Sequence, residues 1–322
     1  MSQAVRERTL RRPRRAGAQA RVSLVQRIGS NRRLALFILM LPGVLHFLLF
    51  RYVPLLGNVI AFQNYDIFAG ILGSKWVGVK HFASMFSYVE FYHIIRNTLL
   101  ISFMSLTFGF PAPLCLALLL NEIPTMRVKR PVQTVLYLPH FLSWVIVGGI
   151  FINLLKINGI VNQLIAALGL TPVGFVTEPA WFRWVLVGVG IWREVGWGMI
   201  IYLAALAGVD PNLYEAAVVD GANRWRQVWH ITLPSLRPAI VVLFLLRIGH
   251  LLDSNVEQVL IFLNPLVRDV GEVVDTYVYR VGLLSAQFSY TTAVGIFKSV
   301  VGIALIVGLN NLSKRLTGES IY

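Results

Sequence analysis

Cys115 is the only cysteine in 322 residues, so no intramolecular disulfide forms and no cysteine-based zinc site is available. Charge is scarce too: 14% of the residues are Asp, Glu, Lys or Arg, against about a quarter in soluble domains. The acidic sign is the rarer, 15 residues against 29 basic ones. There is no G-x-x-x-x-G-K-[ST], which excludes a P-loop ATPase within this chain. H-E-x-x-H and G-x-S-x-G are also missing. The six histidines are scattered, with no pair at helical ligand spacing, and His140 and His230 read as packing or capping residues. No catalytic and no metal-binding residues are expected. An intramembrane hydrolase or a lipid-linked glycosyltransferase would need a polar catalytic constellation that the sequence does not offer.

What is abundant is apolar: 56% of the chain, with a mean hydropathy of +0.67. Several long segments are apolar all around a helix rather than along one stripe, which excludes an ordinary soluble core. The fold class is therefore an all-α membrane protein. Each of six runs approaches the roughly 20 residues that cross the hydrocarbon core: 34–57, 97–120, 132–155, 183–207, 238–262 and 293–312. The fifth is interrupted by Arg247, His250 and Asp253. The first is too long for a signal peptide and lacks a small-residue cleavage site, so it reads as a retained span. Prolines 42, 54, 111, 113 and 139 fall inside spans. There a missing N–H kinks the helix, as a packing irregularity or as a hinge.

The net charge of +14 invites a nucleic-acid reading, but its distribution opposes one. Ten of the 29 basic residues precede residue 34, forming a basic tail (1–33) ahead of the membrane domain (34–322). With six spans, the side holding both termini and the 208–237 loop carries 18 Lys and Arg, against seven on the other side. The positive-inside rule puts that side in the cytosol. The tail then faces anionic lipid head groups.

The 208–237 loop carries the most informative motif. Asp210-Pro211 reads as an N-cap with proline at the first helical position. Glu215-Ala216-Ala217 is followed by Asp220-Gly221, where the helix breaks, and by a second helical stretch, 224–230, ending before Leu233-Pro234. The spacing E-A-A, three residues, G, nine residues, I-x-L-P resembles the signature loop of permease subunits of ABC importers. Further segments resemble the polysaccharide-type carbohydrate branch of that family, relatives of the maltose importer permeases. They include Tyr52-Val53-Pro54-Leu55-Leu56-Gly57, Trp76-Val77-Gly78, Arg96-Asn97-Thr98-Leu99 and Leu118-Leu119-Leu120-Asn121-Glu122. Tyr137-Leu138-Pro139-His140-Phe141-Leu142-Ser143-Trp144, Trp229-His230-Ile231-Thr232-Leu233-Pro234 and Asp275-Thr276-Tyr277-Val278-Tyr279 complete the set.

The resemblance implies a type I ABC importer permease fold of six transmembrane helices in a bacterial cytoplasmic membrane. It implies that Glu215, Ala216, Ala217, Asp220, Gly221, Leu233 and Pro234 couple to an ATPase. The partners it implies are a second, different permease, two ATPase subunits that bind ATP and Mg, and an extracytoplasmic solute-binding protein. This chain would carry no cofactor and no ATP chemistry. The branch handles oligosaccharides, often acidic ones such as alginate, pectin or glucuronoxylan fragments.

Ionisable groups inside spans are costly and mark interior paths or partners. Arg193 and Glu194, flanked by Trp192 and Trp197, sit mid-span and point in different directions as adjacent helical residues. Arg247, Asp253, Asn255, Glu257 and Gln258 form a second polar cluster, and Lys298 lies in the last span. Tyr277, with Tyr279, is placed at the outer mouth or in an interfacial aromatic belt. These residues are the expected substrate path, with aromatic rings for sugar faces and guanidinium forks for a sugar carboxylate. For any one of them the competing reading is an interhelical ion pair. Two rival functions remain: an ABC permease for another solute, and an ion-coupled secondary transporter, which would need no docking loop.

Overall fold

The computed structural model describes residues 32–317, so the basic tail lies outside the described residues apart from its last two positions. The chain divides into two units, Met1–Gly57 and Asn58–Tyr322. In the first, the helix Arg32–Phe47 holds Pro42 in its interior and runs into a wide turn, Leu48–Tyr52, then a last helical turn, Val53–Leu55. Apolar side chains such as Phe37, Leu39 and Phe50 stand exposed along it, as on a helix that faces lipid.

Six stretches among the described residues are long and apolar enough to cross a membrane: Leu36–Phe62, Val89–Asn121, Trp144–Ala167, Pro179–Leu206, Arg224–Gly249 and Phe288–Asn311. Their number and order agree with the sequence reading, but several boundaries do not. The expected third span, 132–155, is broken. A helix Met126–Tyr137 gives way to one tight turn, Leu138–Phe141, and helix Trp144–Leu155 restarts with the Ser143 hydroxyl accepting the Ile146 N–H at 3.3 Å. The fourth begins at Pro179, ahead of the expected residue 183. Arg183 is tolerated inside it because its guanidinium is satisfied, Nε donating to the Val270 carbonyl and Nη2 to Asn97 Oδ1, both at 3.0 Å.

The expected fifth span, 238–262, is two elements. Its helix ends at Gly249, and a short helix, Val256–Phe262, follows with Asn255 accepting the Gln258 N–H at 3.1 Å. The stretch expected to stop before Pro234 instead continues into this span. The wide turn Val228–Thr232 sends the Leu233 N–H back to the Val228 carbonyl, and Pro234 then falls in the first helical turn, where a missing N–H costs little.

Span Pro179–Leu206 packs against both halves of the second span, Val89–Gly109 and Pro111–Asn121. One buried cluster forms around Trp144, Phe182, Val185 and Phe262, and another around Ala117, Met199, Tyr202 and Leu236. A third, around Met85, Phe91, Tyr277 and Tyr290, joins the second span to the last. The closest backbone approach is at Gly196, where an added Cβ would sit 1.9 Å from the Leu136 carbonyl oxygen. A carbonyl inside a helix does not swing aside, so Gly196→Ala is expected to cost about 1–3 kcal/mol by overpacking. Gly188→Ala on the same helix meets nothing within 4 Å and should be neutral. Melting temperatures of the two variants in detergent check this, and equal values would refute it.

On the side where the second span begins, Arg280 closes a network. It donates Nε to Glu272 Oε1 at 2.7 Å and Nη2 to Glu272 Oε2 at 2.9 Å and to Glu90 Oε1 at 2.7 Å. The Glu272 bonds hold the guanidinium above its ordinary range; burial opposes them and the Glu90 bond adds to them.

Candidate functional site

A cavity of about 480 Å³ opens between the second, fourth and fifth spans and the short helix Val256–Phe262. Of the side chains expected along a substrate path, Glu194, Trp197, Arg247, Asp253, Asn255 and Gln258 line it. The breaks in the third and fifth spans make this possible. Ending the fifth helix at Gly249 frees residues 250–255 to fold across the cavity, and the turn at Leu138–Phe141 brings His140 to the fourth span.

The remaining candidates are placed elsewhere. Trp192 packs edge-on against Phe151 at 5.1 Å. Arg193 donates Nε and Nη2 to the Leu142 carbonyl at 3.1 and 2.9 Å, and its guanidinium lies 4.7 Å over the Trp144 ring. It also pairs with Glu194, contrary to the expectation that adjacent residues point apart: a long guanidinium reaches round the helix to its neighbour. Glu257 is exposed away from the cavity lining. Tyr277 is buried at 4% exposure, its hydroxyl donating to Tyr290 at 3.3 Å, so it is a core residue and not part of a mouth. Only Tyr279 keeps partial exposure there.

Lys298 is also a structural cation. It reaches Asp253 at 2.8 Å and Asp275 at 2.6 Å, and Asp275 accepts the Ser254 N–H at 2.9 Å. Asp253 also pairs with His250 at 2.8 Å. This clamp fixes the 250–255 segment and therefore the helix that presents Gln258, whose amide donates to the Leu186 carbonyl at 2.6 Å.

Two residues of the site escaped sequence reasoning. His140 meets Glu194 Oε2 through Nδ1 at 2.7 Å and stacks on Trp197, with centroids 4.5 Å apart and planes 4° from parallel. Its only signal was a histidine just after Pro139. Asp275 stood in a recognised segment, but its charge was not matched to Lys298.

The resulting charge balance is uneven. Glu194 is met by Arg193 and His140, and Asp253 by Lys298 and His250. Arg247, on the same cavity wall, has neither an ion pair nor a hydrogen bond among the described residues.

The 208–237 loop folds as two short helices. In the first, Pro211–Val219, the Asp210 carboxylate accepts the Asn212 N–H at 2.9 Å. It ends with Gly221 at φ +75°, the Ala222 N–H reaching the Ala217 carbonyl at 2.8 Å and the Gly221 N–H the Val218 carbonyl at 3.0 Å. That pair of bonds satisfies two of the last carbonyls and requires a left-handed residue at Gly221. Asn223 then caps the second helix, Arg224–Gln227, by accepting the Arg226 N–H at 2.9 Å. The loop is tied back to the fifth span by Tyr214 and Thr232, whose hydroxyls lie 2.9 Å apart. Glu215, Ala216, Asp220, Val219 and Trp225 are exposed, whereas Leu233 is half-buried at the span's start.

Residues 109–318 match the family described as "Binding-protein-dependent transport system inner membrane component". The chain belongs to this family. As a multi-pass inner-membrane permease it is 50% identical, over 89% of its length and 90% of the relative's, to the polygalacturonan/rhamnogalacturonan transport system permease protein YteP of Bacillus subtilis strain 168. It is 28% identical to the arabinooligosaccharides transport system permease protein AraP of the same organism, over 90% of each chain. Among solved structures, the permease superposes with a TM-score of 0.83 and 39% identity on a chain of a bacterial alginate ABC transporter, solved in complex with an alginate pentasaccharide-bound periplasmic protein. The match covers 92% of this permease and 99% of that chain, so the type I ABC permease fold expected from the sequence is the fold observed.

Proposed function

We propose that this permease carries acidic oligosaccharides inward across the inner membrane by alternating access, driven by separate ATPase subunits. The observation that carries the acidic assignment is Arg247: a guanidinium on the cavity wall with no ion pair or hydrogen bond among the described residues, beside acids that already have basic partners. Its fork suits a carboxylate bidentately. Trp197, held flat by His140, offers a ring face to the sugar, while the Asn255 side-chain N–H group and the Gln258 side-chain oxygen supply partners for its hydroxyls. The 50% identical relative is named for polygalacturonan, and the structural neighbour carries what its description calls the acidic polysaccharide alginate; both are uronate polymers.

In this reading the loop holding Glu215, Ala216, Ala217, Asp220, Gly221, Leu233 and Pro234 faces the cytosol and docks into an ATPase. Partner subunits bind ATP and Mg and supply the hydrolysis. A second permease completes the pathway, and an extracytoplasmic binding protein delivers the sugar. The asymmetry of basic residues supports that orientation.

Uptake of oligogalacturonate or oligoalginate should exceed uptake of neutral oligosaccharides of equal length in cells expressing the full system. Arg247→Gln should weaken the acidic substrates by about 10- to 100-fold, the worth of a charged hydrogen-bonded contact. AraP favours a second reading, a neutral oligosaccharide. Uptake of neutral sugars alone, indifferent to Arg247, would establish it.

A further inference from the structure

The two-stranded hairpin Gln63–Asn64 and Lys75–Trp76 presents an apolar tip. Phe68 and Leu72 are fully exposed, at 100% and 102%, and Ile67 is exposed beside them. Exposure of this degree on a loose loop would mean little, but this loop is built. Asp66, itself exposed, caps the turn, its Oδ1 accepting the N–H groups of Phe68 at 2.7 Å and Ala69 at 3.3 Å. Ser74 Oγ donates to the Gly70 carbonyl at 2.6 Å and accepts the Asp66 N–H at 3.0 Å. Gln63 donates across the base to the Ile71 carbonyl at 3.0 Å. The tip's polar groups are spent internally, and no charged side chain lies between Asp66 and Lys75.

The base of the hairpin is tied to the start of the last span. The Tyr65 N–H donates to Ser289 Oγ at 2.9 Å, and the Tyr65 ring meets Phe288 edge-on. Both partners are the opening residues of the last span, Phe288–Asn311. Phe68 follows Tyr65 by three residues, a reach of about 10 Å at full extension. The head-group layer on each side of the hydrocarbon core is about 6 Å deep. Lys75 and Lys80 stand exposed at the base with no acidic partner among the described residues, and Trp76 stands exposed between them. An apolar point with flanking cations and an indole is the pattern of an element seated in a bilayer interface.

We propose that this tip is a lipid anchor: Phe68 and Leu72 enter the acyl region of the leaflet on the side opposite the 208–237 loop, while Lys75 and Lys80 meet lipid phosphates. Seated in this way, the hairpin holds the beginning of the last span at a fixed depth while other parts of the permease move. The anchor does not depend on which sugar is carried.

The test is spin-label depth in nanodiscs of phosphatidylcholine and phosphatidylglycerol. It uses the full chain carrying Cys115→Ser, since Cys115 is exposed and would take the label. Labels are placed at Phe68→Cys, at Leu72→Cys and, as an aqueous reference, at Val219→Cys. The expected result is collision with oxygen favoured over a water-soluble nickel chelate by several-fold at 68 and 72, with the reverse at 219. Equal, water-like accessibility at all three sites would overturn the proposal. Shielding at 68 that appears only on addition of a solute-binding protein would overturn it in favour of a protein-docking knob.

Discussion

Glu215→Gln combined with Gly221→Val is expected to abolish ATP-driven uptake while the chain still inserts and folds. Glu215 is exposed and has no partner among the described residues, so its loss costs the chain's own fold within about 0.5 kcal/mol. Gly221 sits at φ +75° with open space where a side chain would project. A β-branched residue there pays only the left-handed backbone penalty, about 1–2 kcal/mol or somewhat more. That penalty falls on the two bonds that close helix Pro211–Val219, and so on the angle between the two short helices. A docking surface is sensitive to such an angle, whereas a membrane-embedded core is not. The decisive measurement pairs uptake with the melting temperature of the purified chain. Lost uptake with a melting point within a few degrees of wild type supports docking. Unimpaired uptake would revive an ion-coupled transporter that needs no such loop.

Lys298→Met should damage the cavity without removing any group that lines it. Lys298 and Asp275 have side chains only 18% and 19% exposed, and among the described residues the lysine is the one cation bridging Asp275 to Asp253. Removing one partner of a largely buried pair leaves a carboxylate uncompensated, at a cost of about 3 kcal/mol. The 250–255 segment is released, and with it the helix that positions Asn255 and Gln258. The expected outcome is a clear drop in melting temperature together with a raised half-saturation concentration for uptake. The double variant Lys298→Met/Asp275→Asn should recover part of the stability, because the more buried of the two carboxylates is neutralised, while the more exposed Asp253 keeps only His250. If Lys298→Met impairs uptake with an unchanged melting temperature, the lysine meets the sugar directly, as its position in a span first suggested.

These outcomes bear on what a single sequence makes legible. The spans were readable because crossing a bilayer imposes a length of apolar helix, a property of consecutive residues. The 208–237 loop was readable for the same kind of reason. Asp210, Gly221 and Asn223 act on backbone groups two to five residues away, so their capping roles are written locally. The motif spacing that resembled ABC permeases lies in this stretch.

The interior charges were only half legible. That Arg193, Glu194, Arg247, Asp253 and Lys298 matter follows from the cost of charge in a membrane. Which of them face substrate does not, because that depends on partners far along the chain. His140 and Glu194 are 54 positions apart, Lys298 and Asp275 are 23 apart, and Arg183 finds its acceptor 87 positions away in Val270. Once those pairs form, Lys298 and Arg193 are held by protein groups, and Arg247 stays on the cavity wall with no ion pair among the described residues.

The sequence by itself determined a six-span permease with a two-helix loop between its fourth and fifth spans, because hydrophobic length, capping and turn chemistry act over a few residues. The tertiary structure decided where the third and fifth spans break, which charges cancel, and so what the cavity presents. Those outcomes turn on a few ångströms between side chains that periodicity does not relate.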